Sequence, residues 1–240
     1  MVFELNRVVN GIALLFFIIA SYIFKLDYFL LILIFVFILF EVYQSKILVF
    51  SLYNFVLLPL SFLSIYLYFI ENFYSLYIIL FLFFFLTFIH KKYLNTYFII
   101  LIFVSFLLFF QLNLVDRKVF YLVFLFSFTN DTIAFVIGRL IKGPKIVPKI
   151  SPNKTWSGTV ISFMISSIVL YFFEFEIYYS ILVSASFFLS DIYFSYIKRK
   201  NNLKDFSNII KGHGGLLDRM DSILFPSAIL FFSLLWRIIY

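Results

Sequence analysis

The 240-residue chain contains no cysteine. That removes disulfides, thiolate nucleophiles, zinc–thiolate sites and iron–sulfur clusters together. A bound metal has only oxygen ligands and two histidines, His90 and His213, to draw on. Charge is scarce as well. Asp, Glu, Lys and Arg make up 13% of the residues, about half of the roughly 25% usual in soluble domains. So little polar surface cannot cover a water-soluble particle, which excludes an ordinary soluble enzyme, and a disordered chain would be far more polar. The apolar runs do not alternate with polar residues, so a closed β-barrel is excluded too. The first run, beginning near Val8, lacks a small-residue cleavage site and reads as a span rather than a signal peptide.

What is present is hydrophobic: 64% of the residues, with 39 Phe and 17 Tyr. A spanning helix needs about 20 apolar residues. The apolar segments are 8–24, 28–43, 47–70, 75–90, 96–113, 119–139, 156–174, 177–197 and 222–239. The chain is therefore expected to be an all-α, polytopic integral membrane protein with about nine transmembrane helices. Pro59 is placed to kink the third.

Two long polar stretches interrupt this pattern, 139–155 and 198–221. Two spans separate them, so both must face the same side of the membrane. With that side and the N-terminus inside, fifteen of the nineteen Lys and Arg residues are inside, as the positive-inside rule demands. The expected location is the cytoplasmic (inner) membrane, with both loops facing the cytoplasm. The net charge of +7 reads as topology and as a match for an anionic ligand, not as a nucleic-acid surface. Residues 1–115 form an N-terminal transmembrane scaffold with little that could do chemistry. Residues 116–240 form the catalytic region.

The informative polar residues cluster in that second half. Asp131 lies eight residues before Arg139, roughly 12 Å below the membrane face at ~1.5 Å per residue, and Asp191 lies roughly 10 Å below Lys198. Intramembrane carboxylates are costly and mark function. Asp191 shares a helix face with Ser195 and Lys198. Asp218 and Asp221 share another, flanking Arg219. A D-x-x-D pair near a further Asp is suited to Mg²⁺, a hard cation that takes carboxylate and phosphate oxygens; a capped helix start is the plainer alternative. Gly212, Gly214 and Gly215 surround His213 and permit the close backbone approach of a phosphate cradle, with His213 as a donor. The run Ser151-Pro152-Asn153-Lys154-Thr155-Trp156-Ser157-Gly158 enters a span. It reads equally as a helix cap, through Thr155 or Ser157, and as an anion site at a helix N-terminus. Lys198, Arg199 and Lys200 read most simply as topology signals.

The series Ser195-Tyr196-Ile197-Lys198-Arg199, Lys204-Asp205, Gly212-His213-Gly214-Gly215 and Asp218-Arg219-Met220-Asp221-Ser222 closely resembles the signature of phosphatidate cytidylyltransferases (CDP-diacylglycerol synthases). Asp131-Thr132-Ile133-Ala134-Phe135 with Gly138-Arg139, and the run from Ser151 to Gly158, resemble the same family. The likeness covers most of 130–222. It departs from the family pattern at Ser190, Phe194, Lys211 and Phe135, none of them a proposed metal ligand.

The resemblance implies condensation of CTP with phosphatidate to CDP-diacylglycerol and pyrophosphate, with Mg²⁺ and room for a second cation. It also implies membrane-lipid contact and association as a homodimer. On that reading Asp191, Asp218 and Asp221 hold metal, with Asp131 a fourth acid. Lys154, Lys204, His213 and Arg219 act on the phosphates. Ser151, Thr155, Ser195, Lys198, Arg199 and the glycines Gly212, Gly214 and Gly215 complete the substrate site. The rival readings are a CTP-dependent membrane enzyme for another lipid phosphate or a prenol, and a cation-coupled transporter using Asp131 and Asp191.

Overall fold

The structure is a computed structural model that describes residues 13, 15–47, 94–207, 209 and 214–239, the side chains of 235–239 excepted. Residues 15–23 are helical and lead through a tight turn at Phe24 and Lys25 into α1 (Asp27–Gln44). The turn is closed by Leu26 N donating to Ser21 O at 2.9 Å, with Lys25 in the left-handed region at φ 57°. Then come α2 (Leu94–Val115) and α3 (Arg117–Ile141), a β-hairpin of β1 (Lys145–Val147) and β2 (Ser151–Thr155), α4 (Trp156–Phe172) and α5 (Ile177–Lys200). A single turn, α6 (Leu217–Met220), precedes α7 (Leu224–Ile239).

Four of these helices, α1, α2, α3 and α5, are long and apolar enough to cross a membrane, while α4 and α7 are shorter apolar helices. The expected spans at 47–70 and 75–90 lie outside the described residues, apart from Ile47. The expected 28–43, 96–113, 119–139, 156–174, 177–197 and 222–239 correspond to α1 to α5 and α7. One local difference stands out. The 139–155 stretch is no simple loop: β1 and β2 pair antiparallel, with Lys145 opposite Thr155 and Val147 opposite Ser151. Pro148 and Pro152 cannot extend a helix here, and the hairpin pairs the backbone groups that would otherwise need water.

α2 is buried along most of its length and packs against α1, α3, α5 and α7. Its aromatic residues make the core. Phe109 meets Phe120 at 4.6 Å between ring centroids, and Phe98 meets Phe194 at 5.0 Å. Phe98 also stacks on Phe206 at 5.7 Å, which pins the segment after α5 to the helical core. Large apolar residues such as Phe135, Leu140, Phe172 and Leu189 point outward, as a lipid-facing surface requires.

α3 and α4 cross closely because both carry glycine at the contact. A Cβ on Gly158 would run into the Ala134 carbonyl oxygen and lie 3.1 Å from Gly138 Cα. Asn130 on α3 accepts from Ser166 Oγ on α4 at 3.0 Å, a polar link inside the apolar layer.

The two ends of the bundle differ in chemistry. At one, Asp27 accepts from Arg117 Nε at 2.7 Å and Tyr121 Oη at 2.5 Å, while Arg117 lies over the Tyr22 ring. The hairpin, the C-terminal end of α5 and α6 gather at the other end, next to Glu41 at the C-terminal end of α1.

Candidate active site

The hairpin turns into α4 through Thr155, whose Oγ1 accepts from Gly158 N at 3.3 Å. Trp156 N donates to Pro144 O at 3.1 Å, and Ser157 Oγ donates to Lys142 O at 2.5 Å. Thr155 thus caps α4, with Trp156 N and Gly158 N both taken. The hairpin presents Lys154. Its ammonium forms an ion pair with Asp191 of α5 and lies 5.4 Å from the centre of the Phe188 ring.

Asp191 therefore faces the hairpin, and Ser195 one turn further along donates to it at 3.4 Å. Lys198, the next residue on that stripe, turns elsewhere. It is 7% exposed, and its Nζ donates to Asp218 Oδ1 at 2.8 Å. A buried ion pair is more than a topology signal. Arg199 donates to the backbone carbonyls of Ile150 and Leu203, tying the hairpin to the end of α5.

Asp218 is 9% exposed and fully engaged. One carboxylate oxygen meets Lys198; the other accepts from Phe206 N and Gly215 N, each at 2.9 Å. Gly214, at φ 78°, allows this turn: a Cβ there would lie 2.9 Å from the same Asp218 oxygen. Asp218 as it stands shapes the loop. Asp221 is also buried, and Ser190 of α5 donates to its backbone carbonyl. Burial pushes the Asp221 carboxyl well above the ordinary carboxylate range. Asp191 and Asp131 push it the same way, while Lys198 and Lys154 pull it down. On α3, Asp131 accepts from Ser222 Oγ at 3.2 Å, and Ser222 Oγ lies 2.6 Å from Ser127 Oγ.

Asp131, Asp191 and Asp221 thus come from three separate segments into one electrostatic neighbourhood. Ser151 lines the same space, whereas Lys204 is exposed and makes no described ion pair. Gly212 and His213 lie outside the described residues, while Gly215 is buried against Glu41. Sequence reasoning passed over Glu41, although an acid within an apolar run is itself a signal.

Two cavities open beside these acids. One, of about 230 Å³, is lined by Asp131, Ser151, Asn153, Lys154, Thr155 and Asp191 among others. The second, of about 170 Å³, is mostly apolar, with walls that include Ile18, Leu30, Ile34 and Phe124. Its polar lining includes Asp218 and Arg219, and Asp131 lines both cavities.

Among the described residues, no three acidic or histidine side chains stand in ligating geometry around one point. The donor chemistry nonetheless suits a hard divalent cation. Asp131, Asp191 and Asp221 supply carboxylate oxygens, and Lys154 already neutralises Asp191 where a cation would.

Comparison with known proteins agrees with the motifs. A phosphatidate cytidylyltransferase from Rickettsia bellii is 41% identical over 145 residues, covering 54% of this chain and 63% of that protein. The one from Rickettsia conorii is 38% identical over 144 residues, covering 53% and 63%. The Helicobacter pylori one is 36% identical over 121 residues, covering 45% of each. The matched stretch thus spans less than two thirds of these relatives' length. No solved structure matches the chain. The model of the cytidylyltransferase family matches residues 5–237, nearly the whole chain. Matched over nearly all of its length, this chain belongs to the cytidylyltransferase family.

Proposed function

We propose that the chain condenses CTP with phosphatidate, giving CDP-diacylglycerol and pyrophosphate. The observation that carries this is that Asp131 lines both a mostly apolar cavity and a more polar one, beside Asp191, Asp221 and Lys154. A lipid with an anionic headgroup needs such a boundary: apolar walls for its chains and a charged rim for its phosphate.

Both substrates are anions, so the barrier is charge repulsion and alignment. Phosphatidate brings its own nucleophile, an ionised phosphate oxygen, and no general base is required. That oxygen bonds to the α-phosphorus of CTP while the α–β anhydride bond breaks and pyrophosphate leaves. Lys154, aimed into the polar cavity, attracts the triphosphate. Arg219, on the lining of the apolar cavity, serves the lipid phosphate. His213 and Lys204 act on the phosphates, and Ser151 and Ser195 orient them. Mg²⁺ bound by Asp131, Asp191 and Asp221 would screen the phosphate charges and steady the leaving pyrophosphate. The hairpin and α6 would face the cytoplasm, where CTP is found, in the inner membrane.

The test is turnover by the detergent-purified chain, with phosphatidate, a prenol and an ether-lipid phosphate as separate acceptors, with and without EDTA. CDP-diacylglycerol and pyrophosphate formed in equal amounts from phosphatidate, and lost with EDTA, are expected. Transfer only to another acceptor, or no consumption of CTP, overturns the reading.

A further inference from the structure

Glu41 lies on α1, in the half of the chain with few polar residues, and is 0% exposed. A buried carboxylate must find donors or a cation. Here Leu216 N donates to Oε1 at 2.6 Å, Leu217 N to Oε2 at 2.7 Å and Ser207 Oγ to Oε1 at 3.0 Å. Gly215 lies so close that any side chain there would overlap the carboxylate.

These donors come from the two ends of the segment that carries the signature residues. Three successive N–H groups, of Gly215, Leu216 and Leu217, point to carboxylates: the first to Asp218, the others to Glu41. The other end of the segment repeats the pattern, with Phe206 N on Asp218 and Ser207 Oγ on Glu41. One clamp is local to the sequence. The other reaches across more than 160 residues, from Ser207 to Glu41. Leu216 and Leu217 open the turn that holds Asp218 and Asp221, and the first N–H groups of such a turn have no partner within it. Glu41 supplies that partner from a different helix.

We propose that Glu41 is a positioning residue of the active site, setting the turn that carries Asp218, Arg219 and Asp221 at the correct depth and angle. Glu41 itself lines neither cavity, and it acts through the backbone of Leu216 and Leu217, the first of which lines the apolar one. The proposal rests on the cytidylyltransferase reading for its catalytic consequence, but not for the clamp itself. It gives the N-terminal part a share in the site rather than the role of inert wall.

The experiment compares wild type, Glu41→Gln and Glu41→Ala as full chains in detergent. Gln keeps the size and one acceptor oxygen but turns an amide donor toward backbone N–H groups, so it remains informative where Ala fails to fold. Amide hydrogen exchange over 205–207 and 214–221 is read against α2 as internal reference. Turnover is read as kcat, KM for CTP and the Mg²⁺ concentration giving half-maximal rate. In Glu41→Gln, faster exchange confined to the clamped segments is expected. With it, kcat should fall about a hundredfold, as for an ångström-scale misplacement, and the Mg²⁺ requirement should rise roughly tenfold.

Wild-type kcat and Mg²⁺ requirement in Glu41→Gln would overturn the positioning role, even if exchange rose. Unchanged exchange would overturn the clamp. If the wild type turns over no phosphatidate, the functional reading falls by itself. Exchange then decides the claim for Glu41: faster exchange at 214–217 upholds the clamp and unchanged exchange ends it.

Discussion

Lys198 Nζ lies 2.8 Å from Asp218 Oδ1, with the two side chains 9% and 5% exposed. Lys198 lies in the last turn of a long helix and Asp218 within a short one, so the pair locks α5 to α6. Removing one partner leaves the other charge buried alone. Lys198→Met is therefore expected to destabilise the protein by roughly 3–5 kcal/mol, read as a lowered unfolding temperature. Asp218→Asn, which keeps the shape and one acceptor oxygen, should cost less. Equal unfolding temperatures for Lys198→Met and wild type would show that the pair contributes nothing.

Lys154 belongs to the chemistry more than to the fold. It is partly exposed, so its ion pair with Asp191 adds little stability. Lys154→Met should change the unfolding free energy by no more than about 1 kcal/mol while raising KM for CTP. The KM series with CTP checks this, and a variant with wild-type KM would detach Lys154 from the nucleotide.

Asp221 is held above the ordinary carboxylate range by burial and by the neighbouring Asp191 and Asp131. Its charge is a cost in the metal-free protein. Asp221→Asn is expected to match or exceed the wild-type unfolding temperature without Mg²⁺ and to lose the stabilisation that Mg²⁺ brings. Turnover should fall roughly 10²–10³-fold. Thermal unfolding with and without Mg²⁺ measures both effects. An Asp221→Asn protein that Mg²⁺ stabilises as much as wild type would remove Asp221 from the cation site.

Gly158 sets how closely α3 and α4 approach, because its missing Cβ leaves room for the Ala134 carbonyl. Gly158→Ala should push the helices apart at a cost of about 1–3 kcal/mol. It should also move the hairpin and Lys154 with them, so unfolding temperature and turnover should drop together. Loss of stability with normal turnover would show that the crossing does not carry the hairpin's position.

Much of this protein could be read from its residues in order. Long apolar runs placed the helices because a bilayer imposes a length and a composition on anything that crosses it. Asp131 and Asp191 declared themselves because ionised groups are rare in such runs, and Asp218 and Asp221 through their D-x-x-D spacing beside a glycine-rich run. The family followed from short motifs whose spacing survives in the chain. The hairpin at 145–155 was not legible, since two strands of three and five residues have too few positions to set a period.

Tertiary structure decided which charge meets which. Asp191, Ser195 and Lys198 form one stripe in sequence, yet Asp191 pairs with Lys154 and Lys198 with Asp218. Periodicity fixes the face on which a residue lies but not the partner opposite that face. Glu41 is the extreme case: its meaning depends on Leu216 and Leu217, 175 and 176 residues away. Local sequence carries the cost of burying a carboxylate, and only the packed chain supplies the donors that answer it.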